Sequence, residues 1–83
     1  MSEGLLIHRA RMGNLYTWWA LVQRHQAEAY RLAYAACGGG PAAERIALKA
    51  FLQAYNTLHL FDDNKSFRPW LLSQCWEVAE CEA

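Results

Sequence analysis

Cys37-Gly38-Gly39-Gly40-Pro41-Ala42-Ala43 divides this chain into two helical halves. Three glycines in a row end a helix, because they enter the left-handed backbone region without steric penalty and lose the most entropy on ordering. The proline that follows has its φ preset for the first turn of a new helix, where its missing N–H leaves nothing unpaired. A second break is Phe61-Asp62-Asp63-Asn64-Lys65-Ser66, a polar run ending in a serine placed to cap a helix with Pro69 in its first turn. Two breaks imply three helices.

Outward from these breaks, apolar spacing fills in the elements. The first helix, about 14–37 with Asn14 as its cap, repeats Leu15, Trp18 or Trp19, Val22, Ala29, Leu32, Ala33 and Ala36 at intervals of three and four. The second, about 41–61, places Ile46, Ala47, Ala50, Phe51, Ala54, Leu58 and Phe61 on one face, opposite Arg45, Lys49, Gln53 and Asn56. The third, about 66–81, carries Trp70, Leu71, Gln74, Val78 and Cys81 near one stripe, with Glu77, Glu80 and Glu82 at the end where the macrodipole disfavours negative charge. Residues 1–13 form an N-terminal segment with room for an extra turn around Gly4 to Arg9. No strand-like alternation, repeat or low-complexity tract interrupts the pattern. The expected fold is all-α, a small bundle of three main helices making one domain over 14–83.

Composition agrees and excludes several functions. The 83 residues are 54% hydrophobic, enough apolar surface for a core in so short a chain, and eight acids balance eight bases. Neutrality removes nonspecific attraction to nucleic acid or membrane, so a partner must be read by a local surface. The longest nearly apolar stretch, Ala33 to Gly40, is about eight residues where a membrane span needs about twenty, and no signal peptide is recognisable; the expected location is the cytoplasm. Cys37, Cys75 and Cys81 form no CxxC pair, and His8, His25 and His59 are scattered, so neither a disulfide framework nor a metal or cofactor site is expected.

Catalytic arrangements are lacking as well. Gly38 to Gly40 follow a helix, without the GxGxxG or GxxxxGK[ST] spacing of a phosphate-binding loop. Asp62 and Asp63 read as a solvated loop, and no spacing pairs Cys75 with His59. The chain is not expected to be an enzyme.

Ala20 to Trp76 resembles region 2 of bacterial RNA polymerase sigma factors of the extracytoplasmic-function type. The resemblance is carried by Ala29-Tyr30-Arg31-Leu32-Ala33, the glycine break, the helix from Ala43-Glu44 through Ala50-Phe51-Leu52 to Ala54-Tyr55, and above all Ser66-Phe67-Arg68-Pro69-Trp70-Leu71-Leu72. It implies a small helical bundle acting in transcription initiation. It further implies that the second long helix docks on the polymerase clamp through Glu44, Arg45, Leu48, Lys49, Gln53 and Asn56. The loop and helix start, Asp63, Asn64, Lys65, Ser66, Phe67, Arg68 and Trp70, would meet the promoter −10 element, with one base held out of the stack.

Two charge patterns depart from that family. Where its docking helix commonly carries Asp, Gln and Glu, this chain has Arg45, Leu48 and Lys49, which turns attraction for a basic partner into repulsion. Leu71 to Ala83 holds no base and three acids, leaving Lys65 and Arg68 as the obvious phosphate contacts near the loop. These departures support an alternative: a sigma-like protein-interaction module, either a homodimer or a partner of a regulatory protein. Trp18, Trp19 and Leu52 are the candidate anchors, since three short helices cannot bury every large side chain.

Overall fold

A computed structural model describes residues 2–82, Glu82 by its backbone alone. It holds four helices: α1 (Glu3–Arg11), α2 (Leu15–Cys37), α3 (Pro41–Asn56) and α4 (Phe67–Glu82), with a single 3-10 turn at Leu58–Leu60. Among the described residues there is no strand, and no helix is long and apolar enough to cross a membrane.

The N-terminal segment is a complete helix, more than the single turn the sequence suggests. Ser2 caps it, its hydroxyl accepting from the Leu5 N–H at 3.3 Å. Glu3 stands in the first turn and Arg9 and Arg11 in the last, matching the macrodipole. Leu6, Ile7 and Ala10 bury one side against α2, so this helix belongs to the same core as the rest. Nine residues give too few periods to announce a helix.

Asn14 caps α2 as expected, accepting from the Thr17 N–H at 3.0 Å. The glycine break acts through backbone geometry: Gly38 is left-handed at φ 85° and its N–H closes on the Tyr34 carbonyl at 2.9 Å. Gly39, at φ 99°, passes so near Tyr34 that an added Cβ would lie 2.7 Å from its ring. Pro41 then opens α3. That helix stops at Asn56, short of the expected 61: the Thr57 amide makes the last i→i−4 bond, to the Gln53 carbonyl at 3.0 Å, its hydroxyl sharing that carbonyl at 2.9 Å, and the Leu60 and Phe61 amides then reach back only three residues, to Thr57 and Leu58. The chain tightens into the 3-10 turn, which still delivers Leu58 and Phe61 to the core.

Helices α2, α3 and α4 pack mutually, and α1 lies on α2, within an envelope of 35 × 20 × 18 Å. All seven residues expected on the inner face of α3 are buried. Ala29 and Ala33 on α2, with Ala43, Ala47, Ala50 and Ala54 on α3, are fully enclosed small residues that let helix axes approach closely. Two expected core positions of α2 are exposed, Leu15 and Ala36. The reason is length: 23 residues span about 34 Å while the 16 of α3 or α4 span about 24 Å, so the ends of α2 overhang. Cys81, placed in the α4 stripe, is exposed too, whereas Cys75 is buried and its thiol points at the Ala29 carbonyl, 3.8 Å away. Burial pushes the Cys75 thiol up to about 11.

The tryptophan pair resolves clearly. Trp18 is 1% exposed and Trp19 40%, so Trp18 is core and cannot be the interface anchor proposed from the sequence. Its ring meets Tyr55 at 5.5 Å and Phe67 edge-on at 6.2 Å, and its Nε1 has no hydrogen-bond partner among the described residues.

Candidate functional site

The polar run after the 3-10 turn becomes a loop, Asp62 to Ser66, resting on aromatic rings. Phe61 and Phe67 are buried on either side of it, with centroids 5.6 Å apart in a T-shaped contact. Trp70, half-buried, lies 5.1 Å from Phe61 and 5.7 Å from Phe67. His25 of α2 adds its ring 5.7 Å from Phe67, and its Nε2 pairs with the Glu3 carboxylate of α1 at 2.9 Å. Edge-on and tilted pairs of this kind stiffen a surface by more than their buried area alone.

The loop is also tied from one side. Arg11, in the last turn of α1, donates to both carboxylate oxygens of Asp63, at 2.8 and 2.9 Å. The same guanidinium donates to the carbonyls of Leu58, at 3.1 Å, and Phe61, and sits 5.8 Å from the centre of the Phe61 ring. One planar fork thus joins the 3-10 turn, the loop entrance and the loop itself. Within the loop, Asp62 orders the next residues: its side chain accepts from the Asn64 N–H at 2.9 Å and its carbonyl from the Lys65 N–H at 3.0 Å.

Most of the residues expected to meet DNA gather here. Asp63, Asn64, Lys65, Ser66 and Arg68 are exposed around the loop, with half-buried Trp70 at its edge. Phe67 differs: it is 3% exposed, a floor residue whose ring cannot reach a ligand directly. Arg68 reaches across to α2, where its Nε and Nη2 both donate to Glu28 Oε2. That hydrogen bond and charge hold the Glu28 carboxyl below its ordinary value and raise the Arg68 guanidinium. Further along α4, Glu77 and Glu80 are exposed.

The residues expected to dock on a polymerase divide between two grooves. Lys49, Gln53 and Asn56 border a cleft of about 480 Å³ between α3 and α4, together with Thr57, Val78 and Cys81. Gln53 is not simply presented to solvent there: its amide donates to Gln74 at 2.7 Å and Glu77 at 3.2 Å, which gives the acidic turn of α4 a partner. Leu48 faces the other way, into a groove of about 260 Å³ between α2 and α3 that also holds Trp19, Gln26 and Tyr30. Glu44, Arg45 and Leu52 are exposed on the same helix. Of the interface candidates, Trp19 and Leu52 are therefore accessible.

Arg11 and Glu28 are the site residues that sequence reasoning missed. Their partners lie 52 and 40 residues away, and no local spacing signals either pair. Among the described residues no group of three His, Cys, Asp or Glu side chains could hold a metal ion.

A family model described as Sigma-70 region 2 matches residues 21–75. No curated protein matches the chain. Among solved structures, it is similar to the NMR structure of the complex formed by an engineered region 2 of sigmaE with GTAAAA. The TM-score is 0.89 at 26% identity, over 99% of this chain and 85% of that one.

Proposed function

The chain belongs to the sigma-70 region 2 family, and on that premise we propose that it is a promoter-recognition module. In this reading the loop from Asp62 to Ser66 and the first turn of α4 take up a single-stranded −10-type element, and the outer face of α3 attaches to core RNA polymerase. The observation that carries it is the preformed loop: Arg11 and the aromatic floor fix its backbone, so little ordering entropy is lost when a strand is bound. A relative of the same shape has been solved in complex with GTAAAA, which supports taking that hexamer as the ligand class. Lys65 and Arg68 supply the charge, and the half-buried face of Trp70 a surface on which a base can stack.

Fluorescence anisotropy with a labelled single-stranded GTAAAA oligonucleotide tests this directly. Binding that weakens as salt rises, and that a base-scrambled strand does not reproduce, is the expected result. Absence of binding at low salt would remove the DNA half of the proposal. A pull-down against core polymerase tests the other half, with the charge reversals Arg45→Asp and Lys49→Glu expected to strengthen capture by a basic clamp surface.

A second reading is favoured by one specific observation: beyond Arg68, α4 offers a strand only acids, while Trp19, Leu48 and Leu52 leave apolar area exposed on α2 and α3. The module then binds a protein, either another copy or a regulator of transcription, without DNA. Light scattering on a size-exclusion column decides the homodimer form, since a monomer at high micromolar concentration rules it out.

A further inference from the structure

We infer that Glu28 is an affinity-determining residue of this module: it occupies the Arg68 guanidinium donors that a DNA phosphate would take, so an arriving strand must displace a carboxylate. The inference rests on the promoter-reading function proposed above. Glu28 lies in the middle of α2, outside the loop, yet two nitrogens of Arg68 converge on its Oε2. A carboxylate and a phosphate offer a guanidinium the same kind of charged oxygen acceptor, so the two compete for the same donors. The contest takes place at the surface: the Arg68 side chain is 56% exposed and that of Glu28 29%, and an anion in solution reaches the pair without opening the core.

The surroundings make this one pair matter. Lys65 and Arg68 are the cations of the loop and first turn, and no base follows them. Occupation of Arg68 therefore withholds a large part of the local positive charge. His25 and Arg31, on the same helix as Glu28, favour its charged form but do not remove it from Arg68. An exposed ion pair is weak, so Glu28 tunes affinity without blocking it. Even once displaced, its carboxylate stays beside the phosphate and repels it.

Anisotropy titrations with labelled single-stranded GTAAAA at one fixed salt concentration test the inference in four proteins: wild type, Glu28→Gln, Arg68→Gln and the double variant. Glu28→Gln is expected to lower Kd about 2- to 5-fold, Arg68→Gln to raise it, and Glu28→Gln to have a smaller effect once Arg68 is gone. An equal tightening in both Arg68 backgrounds would mean that loss of any negative charge suffices, and would overturn the inference. An unchanged Kd for Glu28→Gln, with wild type binding, overturns it while the promoter-reading function stands. If no variant binds, that function falls and the inference with it. Glu28→Ala, which keeps a strong helix former at the position, is expected to repeat the Glu28→Gln result, and melting curves identify any variant that fails to fold.

Discussion

Arg11 and Asp63 are joined by two hydrogen bonds, of 2.8 and 2.9 Å, that tie the last turn of α1 to the middle of the loop after the 3-10 turn. The two ends of this pair differ in setting: the Arg11 side chain is 23% exposed and that of Asp63 70%. Most of the hold on the loop therefore comes from the bonds Arg11 makes to the Leu58 and Phe61 carbonyls, with the exposed carboxylate adding direction.

Arg11→Ala should accordingly lower stability by about 1–3 kcal/mol, since it takes a donor from two part-buried carbonyls, of which only Leu58 keeps another, the Phe61 N–H. Asp63→Asn should lower it by less than about 1 kcal/mol. Denaturant melts compare the two, and equal losses would show that the ion pair alone secures the loop. Both should weaken capture of the GTAAAA strand.

The neighbouring tryptophans should respond very differently to truncation. Trp18→Ala removes a fully enclosed ring and should cost about 3–5 kcal/mol. Trp19→Ala should cost about 1 kcal/mol, because part of its ring already meets solvent. Trp18→Phe is the informative intermediate: it forfeits volume but no observed hydrogen bond, and should recover more than half of the loss. Thermal or chemical unfolding of the three variants measures this.

Much of this architecture is legible in the sequence, for a physical reason. Apolar periodicity reports which face of a helix is inside, and the five positions in α3 from Ile46 to Ala54 are all buried, as are Leu58 and Phe61 beyond its end. Glycine and proline report where the chain must turn, and the first break falls at Gly38 to Gly40 as read, whereas the helix before the second ends at Asn56 and not at 61. What stays illegible depends on distance through space. Leu15 and Ala36 satisfy the period but overhang their neighbours, and after Thr57 the chain tightens to i→i−3 bonding. The site divides in the same way: the loop residues announce themselves by composition, whereas Arg11 and Glu28 acquire roles only when folding brings distant segments beside them.

Backbone geometry at Gly39 predicts a graded response. Gly39→Ala places a side chain at φ 99° and drives its Cβ toward the Tyr34 ring, and should cost about 1–2 kcal/mol. Combining it with Tyr34→Ala should return part of that loss, because only the backbone strain then remains. Gly38→Asn should cost only a few tenths of a kcal/mol, since Asn tolerates the left-handed cap. Melting temperatures of the four proteins separate contact from strain.

Thiol labelling should distinguish the three cysteines. At pH 8, iodoacetamide should modify exposed Cys37 and Cys81 within minutes and leave Cys75 untouched, because Cys75 is both enclosed and held protonated up to about 11. Mass spectrometry after timed quenching reads the sites. Labelling of Cys75 at the rate of the other two would show that α2 and α4 separate readily.

The Glu28–Arg68 pair should leave a signature in acid. Glu28 titrates lower in the folded chain than its ordinary 4.5, so folding favours its charged form; its contribution is complete above about that pH and disappears as pH falls through the depressed value. The small difference in melting temperature between wild type and Glu28→Gln should therefore be steady near neutrality and shrink on acidification. A difference that grew as pH fell would reverse the assignment.

The grip of α1 on the loop also orders events during synthesis. Arg11 leaves the ribosome long before Leu58, Phe61 and Asp63 exist, so α1 can settle on α2 while its guanidinium still has no loop to hold. The contact then closes a separation of about fifty residues, whose entropic cost is met only once the chain through α3 has been made and folded. The loop thus cannot take its final shape until Phe67 and α4 have followed it, and a polypeptide stalled before Asp63 would leave the Arg11 guanidinium without its carboxylate.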